Sequence, residues 1–235
     1  MAHLTSDLSD ELVQILVSPR LKEYSVHKNL IRSICPFFDN GFDGRFRAGM
    51  ENKMFLPEDD PDTFGIFVNW MYARHLRHDL RPMQIINVCI FAQKYQCQKL
   101  KNDAMDALQD ALFVHIDFPV PLNYEEVARI FDDTIDIPNS LQYFAVALLA
   151  WEISHGDPSN MKYLERILRE VDDSLMSVLK YSRDNEIVSD PRIRGDEFPI
   201  CAFHDHTGDS QSCASAPTVY ETYSSSSSTS DPSSP

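Results

Sequence analysis

The sequence predicts an α+β fold: a small sheet capped by helices over residues 8–113, an all-helical extension over residues 121–183, and a tail over residues 190–235. Three observations predict this order. Strand-like runs and helical periodicity are mixed up to about residue 113, the periodicity is purely helical after residue 121, and it disappears from about residue 190. A chain of 235 residues has room for one large domain or two small ones.

Three strands are expected in the first part. Residues 12–17 are a short apolar run rich in β-branched side chains, which predicts a strand buried on both faces. Residues 24–26 follow after a turn that begins at Ser18-Pro19, and so short a connection predicts antiparallel pairing. Residues 53–56 predict a third strand, which Pro57 ends.

Helices are expected around and after these strands. Residues 29–34 and a segment opened by Pro36 predict two short ones, since proline is tolerated at the first helical position. Asp60-Pro61 combines an N-cap acceptor with such a proline, and apolar residues follow at helical spacing. Pro82 opens the next helix, and a last apolar series continues to about residue 113. Because the helices are gathered after the strands, the pattern is typical of an α+β domain.

The second part begins after Phe118-Pro119-Val120-Pro121, which we interpret as a linker. Asn123 with Glu126 three residues on resembles a capping box and predicts a helix start. A further helix is expected from Asn139 and two more up to residue 183, either as a small bundle or packed on the first domain. Residues 190–235 are acidic and Ser-rich, with eight Ser in the last twelve residues, and are expected to be mostly disordered.

The charge is placed unevenly. Residues 1–113 hold 13 basic and 15 acidic side chains, whereas residues 114–235 hold 8 and 21. An acidic excess repels phosphate backbones and anionic lipid, so we expect neither a nucleic-acid nor a membrane partner. Five Cys and a start without a secretory leader predict an intracellular protein, cytoplasmic or nuclear or both. Cys35, Cys89 and Cys97 are then expected to be buried small hydrophobic residues.

The front half resembles a BTB/POZ domain. Three blocks carry the resemblance: Val26-His27-Lys28 through Pro36-Phe37-Phe38, Leu56-Pro57-Glu58-Asp59-Asp60-Pro61 through Trp70-Met71-Tyr72, and Phe91-Ala92-Gln93 through Lys101-Asn102. The second block is similar to BTB proteins that are numerous in filamentous fungi, and the helical part is similar to their extension. The resemblance covers residues 8–113 and implies a non-enzymatic protein-interaction module, acting as a scaffold or adaptor.

The resemblance also implies which residues meet a partner. Asp10 and Lys28 look like the charged pair that lines the pocket of dimeric members, so a second copy or another BTB protein is an implied partner. His27 beside them is either a titrating group or a structural residue at a strand–helix junction. The absence of an activating partner nearby in sequence favours the structural role.

Members that dock on cullin ubiquitin ligases carry a hydrophobic-x-Glu motif before the third strand. The corresponding stretch here is Ala48-Gly49-Met50-Glu51, with Gly49 where a large apolar residue is expected. Met50 and Glu51 are therefore the candidate contacts for a cullin, and a cullin adaptor is an alternative function.

One cluster has the residue types of a metal site. Cys201, His204, His206 and Cys213 are spaced Cys-x2-His-x-His-x6-Cys, and alternating His residues of an extended segment point the same way. The spacing matches no zinc-finger class, so the cluster is either a zinc site of a regulatory protein or a coincidence. No other cofactor is expected, because seven Gly form no phosphate-cradling loop and neither a nucleophile elbow nor a His-Glu-x-x-His signature occurs.

Overall fold

A computed structural model describes residues 11–114, 121–132 and 139–206. Asp10, Cys213, residues 118–120 of the expected linker and residues 207–235 of the expected tail lie outside these ranges. Within them the fold is α+β, as the sequence predicts: a three-stranded sheet is surrounded by helices, and the part after residue 121 is helical up to residue 184.

The sheet has the strand order β2-β1-β3, with β1 at Leu12–Val17, β2 at Lys22–His27 and β3 at Lys53–Leu56. The predicted antiparallel pairing of β1 with β2 is confirmed, and β3 runs parallel to β1. The expectation that β1 is buried on both faces is wrong in its first half. Leu12 and Gln14 are exposed there because they point to the outer face of the sheet, while Val13 and Ile15 enter the core.

Six helices complete the described part of the first domain. They are α1 (Lys28–Ile34), α2 (Pro36–Gly41), α3 (Arg47–Glu51), α4 (Pro61–Ala73), α5 (Pro82–Lys94) and α6 (Gln98–Val114). The start of α4 follows the prediction, since Asp60 Oδ2 accepts a hydrogen bond of 2.8 Å from the backbone N–H of Thr63. The five-residue helix α3 was not predicted.

The core of this domain is largely aromatic. Phe38, Phe67 and Trp70 are fully buried and their rings stack in sequence, with centroids 5.8 and 6.2 Å apart. The buried indole N–H of Trp70 has a hydrogen-bond partner, because Nε1–H donates to Asp103 Oδ2 of α6 at 2.8 Å. The stack therefore fixes α2, α4 and α6 relative to one another.

The cysteines of this core differ in part from the expectation. Cys35, Cys89 and Cys97 are all buried, as predicted. Cys35 and Cys97, however, form a disulfide with a Cα–Cα distance of 4.8 Å, so only Cys89 of the three is a free thiol. The pair joins the α1–α2 junction to the α5–α6 connection, two places 62 residues apart in the chain. Sequence spacing carries no signal for such a pairing.

The helical extension consists of α7 (Tyr124–Ile130), α8 (Asn139–His155), a 3₁₀ turn (Pro158–Asn160), α9 (Met161–Glu170) and α10 (Ser174–Asp184). The predicted capping box is present: Asn123 Oδ1 accepts from the N–H of Glu126 at 3.0 Å, and the N–H of Asn123 donates to Glu126 Oε2 at 2.8 Å. The buried residues of the extension belong to the same hydrophobic core as those of the first domain, so its helices pack on that domain.

Residues 190–206, which we call the C-terminal strap, were expected to belong to a mostly disordered tail but contain buried residues. Arg192 is buried and pairs with Asp190 and with Glu152 of α8. Phe198 and Phe203 are buried as well. The strap is thus packed against the domain although it has neither helical nor strand periodicity, because its side chains enter the core singly.

Among the described residues, each helix is too short or too polar to cross a bilayer.

Candidate protein-interaction surface

His27 ends β2 and is tied to α4. Its ring Nδ1 lies 2.7 Å from the hydroxyl of Tyr72, and its backbone N–H donates to the same hydroxyl at 3.2 Å. The two rings meet edge to face with centroids 5.7 Å apart. These contacts hold His27 at the strand–helix junction against a side chain of α4. Its structural role stays a prediction.

Lys28 lies in a polar cluster at one end of the sheet. Its Nζ is 3.0 Å from Glu11 Oε1 and 2.9 Å from Asn52 Oδ1, and its side chain is only 14% exposed. Asn52 in turn donates to Glu11 Oε1 at 2.9 Å. Hydrogen bonds from Lys28 and then from Asn52 lower the pKa of Glu11. The observed partner of Lys28 is thus Glu11, whereas the expected partner, Asp10, lies outside the described residues.

Three large apolar side chains are exposed around the short helix α3, and we call this surface the α3 edge. Phe37 is 41% exposed, Phe46 59% and Met50 70%. Phe46 is the extended residue that precedes α3, and Met50 lies within the helix, four residues further on. Phe37 and Phe46 also line an open groove of about 410 Å³, whose other walls include Lys94 and Gln96. The edge therefore offers apolar contacts beside a groove.

Glu51, the other predicted contact, ends α3. Its carboxylate accepts a hydrogen bond of 2.8 Å from Arg47 Nε, and this bond raises the pKa of Arg47. Both side chains are exposed, Arg47 to 83% and Glu51 to 46%. Met50 and Glu51 are thus available to a partner, and the charge of Glu51 is already partly balanced.

Gly49 stands on the buried side of α3, where the cullin-docking motif has a large apolar residue. A Cβ built on Gly49 lies 2.5 Å from the backbone nitrogen of Gly44 and 2.8 Å from its Cα. Because no side chain fits at such distances, glycine at position 49 is a requirement of the local backbone.

A second exposed apolar surface is the outer face of the sheet. Leu12 and Phe55 are each about half exposed. Leu16 is the neighbour of Phe55 in the β1–β3 register and lies on the same face. The Lys53 ammonium is 5.7 Å from the Phe55 ring centre. We refer to Leu12, Leu16 and Phe55 as the sheet face.

The predicted metal cluster is brought together in part. One ligand atom each from Cys201, His204 and His206 lies within 4.8 Å of the other two. The fourth predicted member, Cys213, lies outside the described residues.

Sequence reasoning missed several residues that build these surfaces. Phe46 carried no signal, because the helix that exposes it is too short to show periodicity. Glu11 and Asn52 are 41 residues apart and are joined only by the fold. The αL conformation of Asn52 at the end of α3 has a local signal, since Asn tolerates that conformation, but its bonds to Glu11 and Lys28 do not.

The mixed sheet with its helical cover and its exposed apolar edge defines a class: small α+β domains that bind other proteins through their surface. Residues 6–112 match the model of the BTB/POZ domain family. The chain is a BTB/POZ domain protein, and these residues are its protein–protein interaction module. A comparison with curated proteins finds no match.

Proposed function

We propose that the protein is a non-enzymatic adaptor whose BTB domain binds a partner protein at the α3 edge. The observation that carries this is the exposure of Phe37 and Phe46 on one groove, together with the exposed Met50 of α3. Contiguous exposed apolar side chains are typical of interaction sites. Burying one fully exposed large apolar side chain contributes about 1.5–3 kcal/mol, so covering these three side chains favours binding and offsets part of the cost of association.

The proposal is tested with Phe46→Asp and Met50→Asp combined in the full chain. A matched control is Met176→Asp, which changes an equally exposed methionine on α10. Partners captured by the wild type are identified by mass spectrometry. We expect the α3-edge variant to lose at least one partner that the control retains. Equal capture by both variants would remove the α3 edge as the binding surface.

A cullin scaffold is one identity for this partner, implied by the family. The exposure of Met50 and Glu51 supports it, because they occupy the position of the docking motif. The fixed Gly49 weighs against it, because the large apolar residue of the motif has no room there. Titration with a purified cullin N-terminal domain decides: binding that Met50→Asp weakens supports a cullin, and no binding at about 100 µM excludes one.

Self-association is a second candidate, supported by the half-exposed Leu12 and Phe55 of the sheet face. A near-neutral first domain favours contact between copies, because two of them repel only weakly. Sedimentation of the full chain is expected to give a dimer that Phe55→Thr disrupts and Phe46→Asp does not; threonine keeps the strand propensity at position 55. A strict monomer at about 100 µM would eliminate this candidate.

A further inference from the structure

The Cys/His cluster of the C-terminal strap lies on helix α6 of the BTB domain. Cys201 and His204 are joined by a tight turn, in which the N–H of His204 donates to the carbonyl of Cys201 at 3.1 Å. His206 follows two residues later, and one ligand atom of each of the three residues lies within 4.8 Å of the others. The cluster therefore combines one thiol and two imidazoles, the donor types that zinc prefers.

Asp205, the residue between the two histidines, is fixed by contacts with three residues of α6. The N–H of Asp205 donates to Asn102 Oδ1 at 3.0 Å, and the carbonyl of Asp205 accepts from Gln98 Nε2 at 2.6 Å. The carboxylate of Asp205 pairs with Lys101. On the other side of His204, Phe203 is buried against Phe144, with ring centroids 5.0 Å apart. These contacts hold the backbone on both sides of His204 and so position the two histidines relative to α6.

His204 has a partner of the kind that metal-binding histidines use. Its Nε2 lies 3.0 Å from Asp106 Oδ1 on α6, and its side chain is only 6% exposed. A carboxylate beside the ring of a metal-binding histidine orients that ring. Asp106 in turn pairs with Arg194, whose guanidinium nitrogen lies 3.2 Å from Asp106 Oδ1. The contact of His204 with Asp106 is an observation independent of the clustering.

We propose that Cys201, His204 and His206 bind a zinc ion, which fastens the C-terminal strap to the BTB domain. Ligand atoms around a tetrahedral zinc ion are about 3.5 Å apart, so the three donors need to approach by only about 1 Å. The ion binds Cys201 as a thiolate, so the proton of the Cys201 thiol is released to solvent when zinc binds. Its role is structural: it joins a segment without secondary structure to helix α6, and the site does not depend on the function proposed for the α3 edge.

Zinc content of the full chain tests the site. The protein is expressed without a polyhistidine tag, purified under reducing conditions, loaded with zinc chloride and dialysed. We expect about one zinc ion per chain by elemental analysis. Cys201→Ser and His206→Asn should each fall below about a tenth of an ion per chain. His78→Asn is the matched control, since His78 is an exposed histidine of the α4–α5 connection, and it should keep the full content.

Two further measurements keep the test decisive if Cys201→Ser folds poorly. His206 is exposed, so His206→Asn removes a ligand without disturbing the core. It should weaken zinc binding at least ~100-fold in a chelator competition, since even indirect partners of a ligand are worth 10–100-fold. Zinc should also slow hydrogen exchange over residues 190–206. Less than a tenth of an ion in the loaded wild type, or equal zinc in wild type and His206→Asn, would overturn the proposal.

Discussion

Gly49 illustrates how one residue decides what the α3 edge offers to a partner. The backbone of Gly44 occupies the space where a side chain of residue 49 would lie, so the apolar contacts of the edge come from Phe46 and Met50 instead. The chain thus departs from the cullin-docking motif for a steric reason. For the same reason, adding even a methyl group at position 49 is expected to lower the free energy of unfolding.

Gly49→Ala is expected to lower the free energy of unfolding by about 1–3 kcal/mol, because the backbone of Gly44 must move to admit the Cβ. Gly195→Ala is the control, since a Cβ there meets no atom within 4 Å. Urea denaturation of both variants measures the difference. Equal stability of the two variants would contradict the steric account of Gly49.

Cys89 is a free thiol whose chemistry is set by burial. It is completely buried on α5, and burial raises the pKa of its thiol to about 12. At pH 9 only about one molecule in a thousand then carries the reactive thiolate at this position. We expect Cys89 to resist alkylation in the native protein and to react after urea is added. Peptide mass spectrometry measures this, and Cys201, after zinc is chelated, is the partly buried comparison.

The same shift of the Cys89 pKa makes stability depend on alkaline pH. The folded pKa of about 12 lies above the unfolded value of 9.0, so the unfolded state binds fewer protons between these values. The free energy of unfolding contributed by this group therefore falls as the pH rises from about 9 towards 12. Cys89→Ala should unfold with a flatter dependence on pH over this range in thermal melts. An unchanged slope would assign the alkaline sensitivity to other groups.

At the scale of elements, the sequence predicts those that carry a local signal. Asp60-Pro61 places the start of α4, and Asn123 with Glu126 places the start of α7, because both signals act within one helical turn. The helix α3 has only five residues, fewer than two turns, and so has no period to detect. The α3 edge depends on that helix, and of its three residues only Met50 was predicted as a contact, through the resemblance to the family.

The disulfide between Cys35 and Cys97 links elements that the sequence separates. A bond that closes a loop of 62 residues constrains the unfolded chain by about 4 kcal/mol in the chain-entropy account. We expect Cys35→Ser, or reduction, to lower the free energy of unfolding by about 2–4 kcal/mol. Comparing denaturant midpoints with and without reductant measures this. Labelling of Cys35 and Cys97 in the denatured, unreduced protein would contradict the bond.

At the scale of the whole molecule, the C-terminal strap joins the BTB domain to the helical extension. Gln109 of α6 donates to the carbonyl of Pro191 at 2.7 Å, and Arg192 pairs with Glu152 of α8 at 3.4 Å. Arg194 pairs with Asp106 and Asp110 on α6. Each of these contacts connects residues at least 40 positions apart. Local patterns could not predict that the strap packs on the rest of the protein, because the contacts that attach it there are made with such distant partners.

Arg192 is the central contact of the strap. Its guanidinium is buried, donates a hydrogen bond of 2.9 Å to Asp190 Oδ2 and lies 4.7 Å from the Trp151 ring centre. Burial raises the pKa of Glu152, and the charge of Arg192 opposes that rise. Removing the arginine leaves two carboxylates in the interior without a cation, so one of them must take up a proton or the strap must open.

Arg192→Ala is therefore expected to lower the free energy of unfolding by about 3–5 kcal/mol, the usual cost of breaking a buried ion pair on one side. Arg183→Ala is the control, because Arg183 pairs with Asp184 on the surface and should change stability by less than about 1 kcal/mol. The variant should also regain stability as the pH is lowered towards 5, since protonation of Glu152 then removes the uncompensated charge. Faster hydrogen exchange of both the strap and α8 in Arg192→Ala would establish that the strap couples the BTB domain to the helical extension. Faster exchange of the strap alone would show that the core holds α8 in place without the strap.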